Sequence, residues 1–171
     1  HMNESQSACR PLERIREMMS EHDLAFQQAK EITAAGNVFT THNPVAAAFE
    51  TLPVPLLYKY GLNYARQCGV LPGQLIGLGR ANPDDPDEPF NMAYLAARTC
   101  ARVNGVSELH GRVSRRIFAP LFPRWPEDEV PVTHVTNAVH VPSWDSPWAD
   151  HLWTEACGKG RWLGAPEQLS A

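Results

Sequence analysis

The sequence predicts an α/β protein in which a parallel sheet of about three strands is flanked by helices. Short runs rich in β-branched residues, at 38–41 and 132–135, alternate with longer segments whose apolar residues recur at helical spacing. Alternation of this kind is typical of parallel α/β sheets. Because such sheets usually have about five or six strands, three strands indicate a partial Rossmann-like domain.

The amino-terminal residues 1–9 are polar, and we expect them to form a disordered lead whose first two residues resemble a remnant of cloning. Residues 10–171 are expected to form one domain. Pro11 suits the first turn of a helix, and the apolar residues after it keep helical spacing. A second helix is predicted to begin at an N-cap residue, Asp23.

The first predicted strand, 38–41, ends at His42 because Pro44 prevents its extension. The run NPDDPDEP at 82–89 is predicted to be a solvated acidic loop rather than a metal site. Its prolines hold the carboxylates apart, and its spacing is not that of an EF-hand. Further helices are predicted over 53–69, 71–78 and 91–100.

The segment 102–144 is predicted to form a strand, a helix and a second strand. Apolar residues at 109, 113 and 117 recur every fourth residue, which predicts a helix with one apolar face that ends before Pro120. The pair Asn104-Gly105 before it is predicted to be a tight turn. In open α/β sheets ligands bind beyond the carboxyl ends of the strands, which is where the polar turn 136–140 falls.

Composition excludes several classes of protein. The chain has 171 residues, of which 43% are hydrophobic and 20% charged, as in ordinary globular proteins. A net charge of −4 argues against a nucleic-acid partner. No apolar run is long enough to span a membrane. The four cysteines are widely scattered, so free thiols in a reducing cytoplasm are expected.

The residues alone offer little support for a nucleophile, a metal site or a nucleotide site. Ser107 and Ser114 lack the G-x-S-x-G context of an activated serine, and the histidines lack the spacing of a structural zinc site. No Walker loop or complete glycine-rich dinucleotide motif is present. For Arg112, Arg115 and Arg116 an exposed helix face is favoured over a phosphate site.

Three blocks of the sequence resemble the α-glucan phosphorylases, the glycogen and maltodextrin phosphorylase family, and most of all its bacterial branch. They are NVFTTHNPVAAAFETLP at 37–53, FNMAYLAARTCARVNGVSELHGRVSRRIF at 90–118 and VTNAVHVPSW at 135–144. The resemblance implies the later part of the first of two Rossmann-like domains in a GT-B arrangement, in which the active site lies in the cleft between the domains.

The resemblance implies the reversible phosphorolysis of α-1,4-glucan to glucose 1-phosphate, with pyridoxal phosphate bound to a lysine of the second domain. None of the three lysines of this chain matches that residue. We therefore expect a fragment of a phosphorylase that binds no cofactor and is inactive alone. A non-catalytic sugar-binding or protein-interaction module that retains the fold is the alternative.

The resemblance also implies a glucosyl site made by His42, Glu50 and Asn137, which we expect to converge at the carboxyl ends of the strands. Without the family, a structural histidine and a turn asparagine are the commoner interpretations. The sequence departs from the family pattern at Asn43, at the pair Ala48-Phe49, and at Ala138, where the family has glycine. Since alanine there would oppose the close approach of a sugar, we expect α-glucan or glucose to bind at most weakly.

Tryptophan is concentrated near the carboxyl end, at Trp144, Trp148, Trp153 and Trp162. Aromatic faces can stack on sugar rings, but packing against other parts of a larger protein is the favoured interpretation. Together with uncovered apolar faces and open sheet edges, these residues predict a homo-oligomer.

Overall fold

The structure is a computed structural model that describes residues 1–161, and it divides into two compact units, residues 1–136 and residues 137–171. Each unit is described by itself, and the single domain expected over residues 10–171 stays a prediction. The strands of the first unit are β1 (Met2–Asn3), β2 (Val38–Thr40), β3 (Thr51–Leu52), β4 (Phe90–Asn91), β5 (Arg102–Gly105) and β6 (Val132–His134). Its helices are α1 (Arg10–His22), α2 (Phe26–Ala35), α3 (Val54–Gln67), α4 (Pro72–Gly77), α5 (Met92–Arg98) and α6 (Glu108–Phe118).

A parallel sheet forms the centre of the first unit, in the strand order β1, β2, β5, β6. Phe39 lies opposite Met2 on one side and opposite Val103 on the other, and Val103 in turn lies opposite Val132. The predicted partial Rossmann-like α/β fold is therefore confirmed, with a fourth strand in addition to the three expected. Because the strands are parallel, all of their carboxyl ends lie along one edge of the sheet.

The additional strand, β1, comes from the residues that were expected to be a disordered lead. Met2 is only 3% exposed, and Ala8 is fully buried. The main-chain N–H of Glu4 donates to the carbonyl of Thr40 at 2.9 Å, which continues the pairing beyond the strand. The expectation of disorder is wrong for these residues, since their order depends on pairing with β2 and not on a local pattern.

Asp23 lies at the junction of α1 and α2, but it is not the N-cap of the second helix. It has the left-handed φ of 52° and ends α1, with its N–H bonded to the carbonyl of Met19. Aspartate is among the few residues other than glycine that tolerate this conformation. The N-cap of α2 is Ala25, whose N–H is bonded by the side chain of Gln28 at 3.1 Å.

The predicted strand, helix and strand unit is present as β5, α6 and β6, with two differences. Asn104 and Gly105 belong to β5 rather than to a turn. Leu109, predicted on the apolar face, is 64% exposed, whereas His110 and Phe118 are buried.

Close packing explains this rotation of the α6 face. A Cβ added to Gly111 would lie 3.1 Å from Cβ of His134 and 3.2 Å from the carbonyl oxygen of Thr133. The helix therefore approaches β6 closely at a glycine. Of the arginines expected on an exposed face, Arg112 and Arg116 are exposed, but Arg115 is half-buried and donates to the Val132 carbonyl at 3.0 Å.

A cluster of aromatic rings fills the core beside the sheet. The ring of Phe118 packs edge-on against Phe39 at a centroid distance of 6.3 Å. It also packs against Phe49, with the two rings tilted by 34° and their centroids 5.5 Å apart. Phe49 belongs to the loop that follows β2, so this contact fixes the far end of that loop. The same ring of Phe118 also contacts Tyr94 of α5.

Arginine side chains hold the acidic loop that was predicted at 82–89. Arg80 donates to the carbonyls of Glu88 and Pro86 at 2.7 and 2.9 Å. The Glu88 carboxylate accepts the main-chain N–H groups of Ala81 and Asn82 at 2.6 and 2.8 Å. The loop is therefore an ordered, self-bonded connection, although most of its residues are exposed.

The second unit contains two helices within its described residues, α7 (Val141–Trp144) and α8 (Pro147–Cys157). Ser146 caps α8 by accepting the N–H of Ala149 at 3.2 Å. Trp144 and Trp148 are each 82% exposed, and Trp162 lies outside the described residues. In neither unit is a described helix long and apolar enough to cross a bilayer.

Candidate functional site

The candidate site lies where β1 and β2 end. These strands are adjacent and parallel, so the residues that follow them, Glu4 and Thr41-His42, lie side by side at the carboxyl edge of the sheet. Thr41 is fully buried, and its N–H donates to the Asn104 carbonyl on the neighbouring β5 at 3.0 Å. The strand end that carries His42 is therefore bonded on both sides.

His42 is exposed, and two residues of the β1 segment hold it in place. Its ring nitrogen Nε2 donates to Oδ1 of Asn3 at 2.7 Å. Its main-chain N–H donates to Oε1 of Glu4 at 3.2 Å. The orientation of the imidazole is thus set by neighbours, while one face of the residue stays open to solvent.

Glu4 has an unusual backbone, with a φ of 66°. Such a conformation costs a non-glycine residue on the order of 1–3 kcal/mol and persists only where the surroundings enforce it. Here the carboxylate accepts both the N–H of His42 and the side-chain amide of Asn43. Glu4, which follows β1, therefore holds the start of the loop 41–50 in place.

His110 anchors the same loop from the helix side. Its Nδ1 accepts the N–H of Val106 at 3.1 Å, so the proton of the neutral ring lies on Nε2. That Nε2–H donates to the carbonyl of Asn43 at 3.1 Å. Through one buried imidazole, the first turn of α6 is connected to the residue that follows His42.

Glu50 ends the loop 41–50, and its carboxylate is exposed. Its main-chain carbonyl accepts the N–H of Met92 at 3.0 Å, and the buried Phe49 precedes it. Burial, and next the negative charge of Glu50, raises the pKa of the Cys9 thiol. His42 and Glu50 thus lie at opposite ends of one loop that is fixed at both ends.

Asn137, the third residue of the predicted site, is the first residue of the second unit. Its side chain is exposed, as are those of Ala138 and His140. The ring of His140 is hydrogen-bonded to the hydroxyl of Ser143 at 2.7 Å. Convergence of Asn137 with His42 and Glu50 stays a prediction.

The residues that position His42 are not predicted from the sequence. Asn3 and Glu4 lie in the stretch expected to be a disordered lead, and the spacing of His110 indicates no site. One feature of the chain order indicates a strand at 2–3. The helices α1 and α2 lead into the strand β2, and a βαβ unit has a parallel strand before its helical segment as well as after it.

All four cysteines are free thiols. Among residues 1–161, no group of three or more histidine, cysteine, aspartate or glutamate side chains is arranged to hold a metal ion.

The three lysines have different surroundings. Lys59 lies on the surface over the ring of Tyr60, at 5.0 Å from its centroid. The side chain of Lys30 is 15% exposed and is paired with Glu31 at 3.3 Å, and Lys159 is exposed. A lysine that forms a Schiff base is desolvated or lies beside other cations, and the expectation that this chain binds no cofactor stays a prediction.

Comparison with known proteins gives a consistent set of relatives. No protein-family model matches the chain. The chain is 41% identical over 165 residues to a glycogen phosphorylase of Mycobacterium tuberculosis (strain CDC 1551 / Oshkosh), in a match that covers 92% of the chain and 19% of the relative.

Two more distant relatives are also phosphorylases of this kind. A maltodextrin phosphorylase of Thermococcus litoralis is 33% identical over 144 residues, which is 84% of the chain and 16% of the relative. A glycogen phosphorylase of Aquifex aeolicus is 33% identical over 137 residues, which is 80% of the chain and 19% of the relative. The chain therefore spans about a fifth of the length of the curated relatives it matches.

Proposed function

We propose, from the premise that this chain belongs to the glycogen and maltodextrin phosphorylase family, that it supplies part of the glucosyl site of an α-1,4-glucan phosphorylase. The observation that carries the proposal is the match of 41% identity over 92% of the chain. The family resemblance implies a substrate of α-1,4-glucan and phosphate, and a product of glucose 1-phosphate. We propose that the chain works in the cytoplasm.

In this proposal His42, Glu50 and Asn137 bind the glucosyl unit. The support for His42 is its place at the carboxyl edge of a parallel sheet, the edge at which open α/β sheets bind ligands. The support for Glu50 is that it shares a loop with His42 and is held by Phe49 and Met92. Asn137 can both donate to and accept from a sugar hydroxyl.

Asn3, Glu4 and His110 act as positioning residues in this proposal. They fix the start of the loop 41–50 through the hydrogen bonds to His42 and Asn43, whereas the Glu50 end is held by Phe49 and Met92. A sugar site depends on groups whose geometry is set before the ligand arrives, because ordering them on binding would reduce affinity.

The isolated chain is proposed to be inactive. In the intact family pyridoxal phosphate supplies the proton transfer at the glycosidic oxygen, and none of the three lysines of this chain matches the family's cofactor lysine. We therefore assign no catalytic step to this chain alone. A cleft with only one wall also cannot exclude water, which removes much of the electrostatic stabilisation that an active site provides.

The test is a chimera in which this chain replaces the matched fifth of the Mycobacterium tuberculosis glycogen phosphorylase. We expect the chimera to release glucose 1-phosphate from glycogen and phosphate, and the purified chain alone to release none. His42→Ala in the chimera should lower kcat/KM at least tenfold. The matched control is His22→Ala, which changes an exposed histidine outside the three family blocks.

Two results would contradict the proposal. Release of glucose 1-phosphate by the isolated 171-residue chain would show that it is a complete enzyme. A folded chimera that binds maltodextrin but has no activity would favour the alternative, a sugar-binding module that retains the fold without the reaction.

A further inference from the structure

An apolar cavity of about 310 Å³ lies inside the first unit, and neither His42 nor Glu50 is among its lining residues. Its walls come from α1, α3, α4, α5 and the β3–β4 ribbon. Leu75, Ile76 and Phe90 at its floor are buried, whereas Tyr58 and Tyr60 at its mouth are exposed. The cavity therefore runs from the surface into the hydrophobic core.

The residues that line the cavity leave few polar groups available to hydrogen-bond a water molecule. The hydroxyl of Tyr64 already donates to the Leu12 carbonyl at 2.6 Å. The carboxylate of Glu13 is bonded by Arg16, with Nε at 2.9 Å. Since an ordered water needs two to four polar partners, a cavity with this lining favours an apolar occupant over water.

We propose that this cavity is a binding site for a neutral apolar molecule with two or three aromatic rings. A cavity of roughly 150 Å³ lined by aliphatic and aromatic residues binds benzene, and the cavity here is about twice as large. Tyr58, Tyr60 and Phe90 provide ring faces and edges for stacking.

The ligand is neutral because Glu13 is the one charged residue in the described lining, and it is already paired with Arg16. An anion would meet that carboxylate without a free cation to compensate it. A second copy of the chain that inserts an exposed tryptophan such as Trp148 is the other occupant, and the sedimentation measurement below distinguishes it from a small molecule.

Gly61 allows a variant that removes the cavity without damaging the fold. It lines the cavity from the interior of α3, and a Cβ added there would meet only Cδ2 of Leu75, at 3.5 Å. Gly61→Leu therefore places its side chain in the cavity, and it also removes a glycine that costs a helix about 1 kcal/mol. The matched control is Gly73→Leu on α4, where an added Cβ meets nothing within 4 Å and the cavity is unaffected.

The experiment is a fluorescence titration of the full chain with N-phenyl-1-naphthylamine, a neutral dye that brightens in apolar surroundings. We expect saturable one-to-one binding to the parent chain and to Gly73→Leu, and at least tenfold weaker binding to Gly61→Leu with no loss of Tm. The sulfonated analogue of the dye should bind the parent at least tenfold more weakly than the neutral dye. Equal binding of the neutral dye to Gly61→Leu and the parent, or binding that scales with self-association in sedimentation, would overturn the proposal.

A second measurement needs no variant. In methyl NMR spectra of the parent chain, naphthalene should shift the methyl resonances of Leu75 and Ile76. Shifts confined to Leu109 or Leu152, which are exposed elsewhere on the molecule, would show that the dye reports surface adhesion and would also overturn the proposal.

Discussion

Replacing Gly105 by alanine is expected to disrupt the joint between β5 and α6. The added Cβ would lie 2.9 Å from the main-chain nitrogen of Gly111 and 2.9 Å from Nδ1 of His110. It would also lie 3.1 Å from the main-chain carbonyl carbon of His110. Two of these atoms belong to the helix backbone, so the first turn of α6 must move away from the sheet.

The cost can be worked out from the contacts that this movement affects. Overpacking by one methyl group in a close-packed interior costs roughly 1–3 kcal/mol. Movement of His110 also weakens its bonds to Val106 N–H and to the Asn43 carbonyl, both at 3.1 Å, at about 1 kcal/mol each. The variant Gly105→Ala should therefore lose roughly 4 kcal/mol of unfolding free energy.

Urea unfolding followed by circular dichroism measures this loss, and amide hydrogen exchange at Val106 locates it. We expect exchange at Val106 to accelerate more than tenfold, because its acceptor is displaced. The control Gly73→Ala adds the same methyl group to an open position on α4 and should be neutral or stabilising by up to about 1 kcal/mol. If Gly105→Ala is within 1 kcal/mol of the parent and Val106 keeps its protection, the close approach of α6 to β5 is refuted.

Three further outcomes are expected. Arg98→Met should cost about 2–4 kcal/mol in urea unfolding, and Arg98→Lys less, because the guanidinium donates to several carbonyls at and after the end of α4, including Gly77 at 2.8 Å. Equal stability of the parent and Arg98→Met would contradict this. Burial raises the pKa of the Cys100 thiol to about 12, so its alkylation at pH 8 should be roughly a thousandfold slower than that of an ordinary thiol. Rapid alkylation of Cys100, detected by mass spectrometry, would refute this. The purified chain should self-associate in sedimentation at tens of micromolar, and the double variant Trp144→Ser, Trp148→Ser should associate less. A monodisperse monomer of the parent chain would argue against this self-association.

The parts of the fold that sequence predicted are those whose pattern is local. The periodicity of α1, α3 and α6 and the β-branched run of β6 place these elements within a few residues of their observed bounds. The strand β1 has only two residues, and its existence depends on pairing with Phe39 and Thr40. No local pattern carries that information.

Side-chain orientation was predicted less well, for a related reason. The period of α6 indicates a face that includes Leu109, but the face that meets the sheet is chosen by close approach at Gly111. In the candidate site, His42 and Glu50 followed from the family motif. Their positioning by Glu4 and His110 depends on residues brought together across the sheet, which sequence spacing alone does not reveal.

The order of strands in the sheet has a kinetic consequence. The bonded residues Val103 and Thr133 are 30 positions apart in the chain, whereas the bonded residues Thr40 and Asn104 are 64 apart. Because closing a longer loop costs more entropy before any contact forms, the unit β5–α6–β6 should assemble early and β2 should add to it later. The paired residues Met2 and Phe39 are only 37 positions apart, so β1 and β2 can join before β2 adds to β5. The loop that carries His42 would then become fully ordered only when β2 adds to β5, because the bonds from Thr41 to Asn104 and from His110 to Asn43 form at that step.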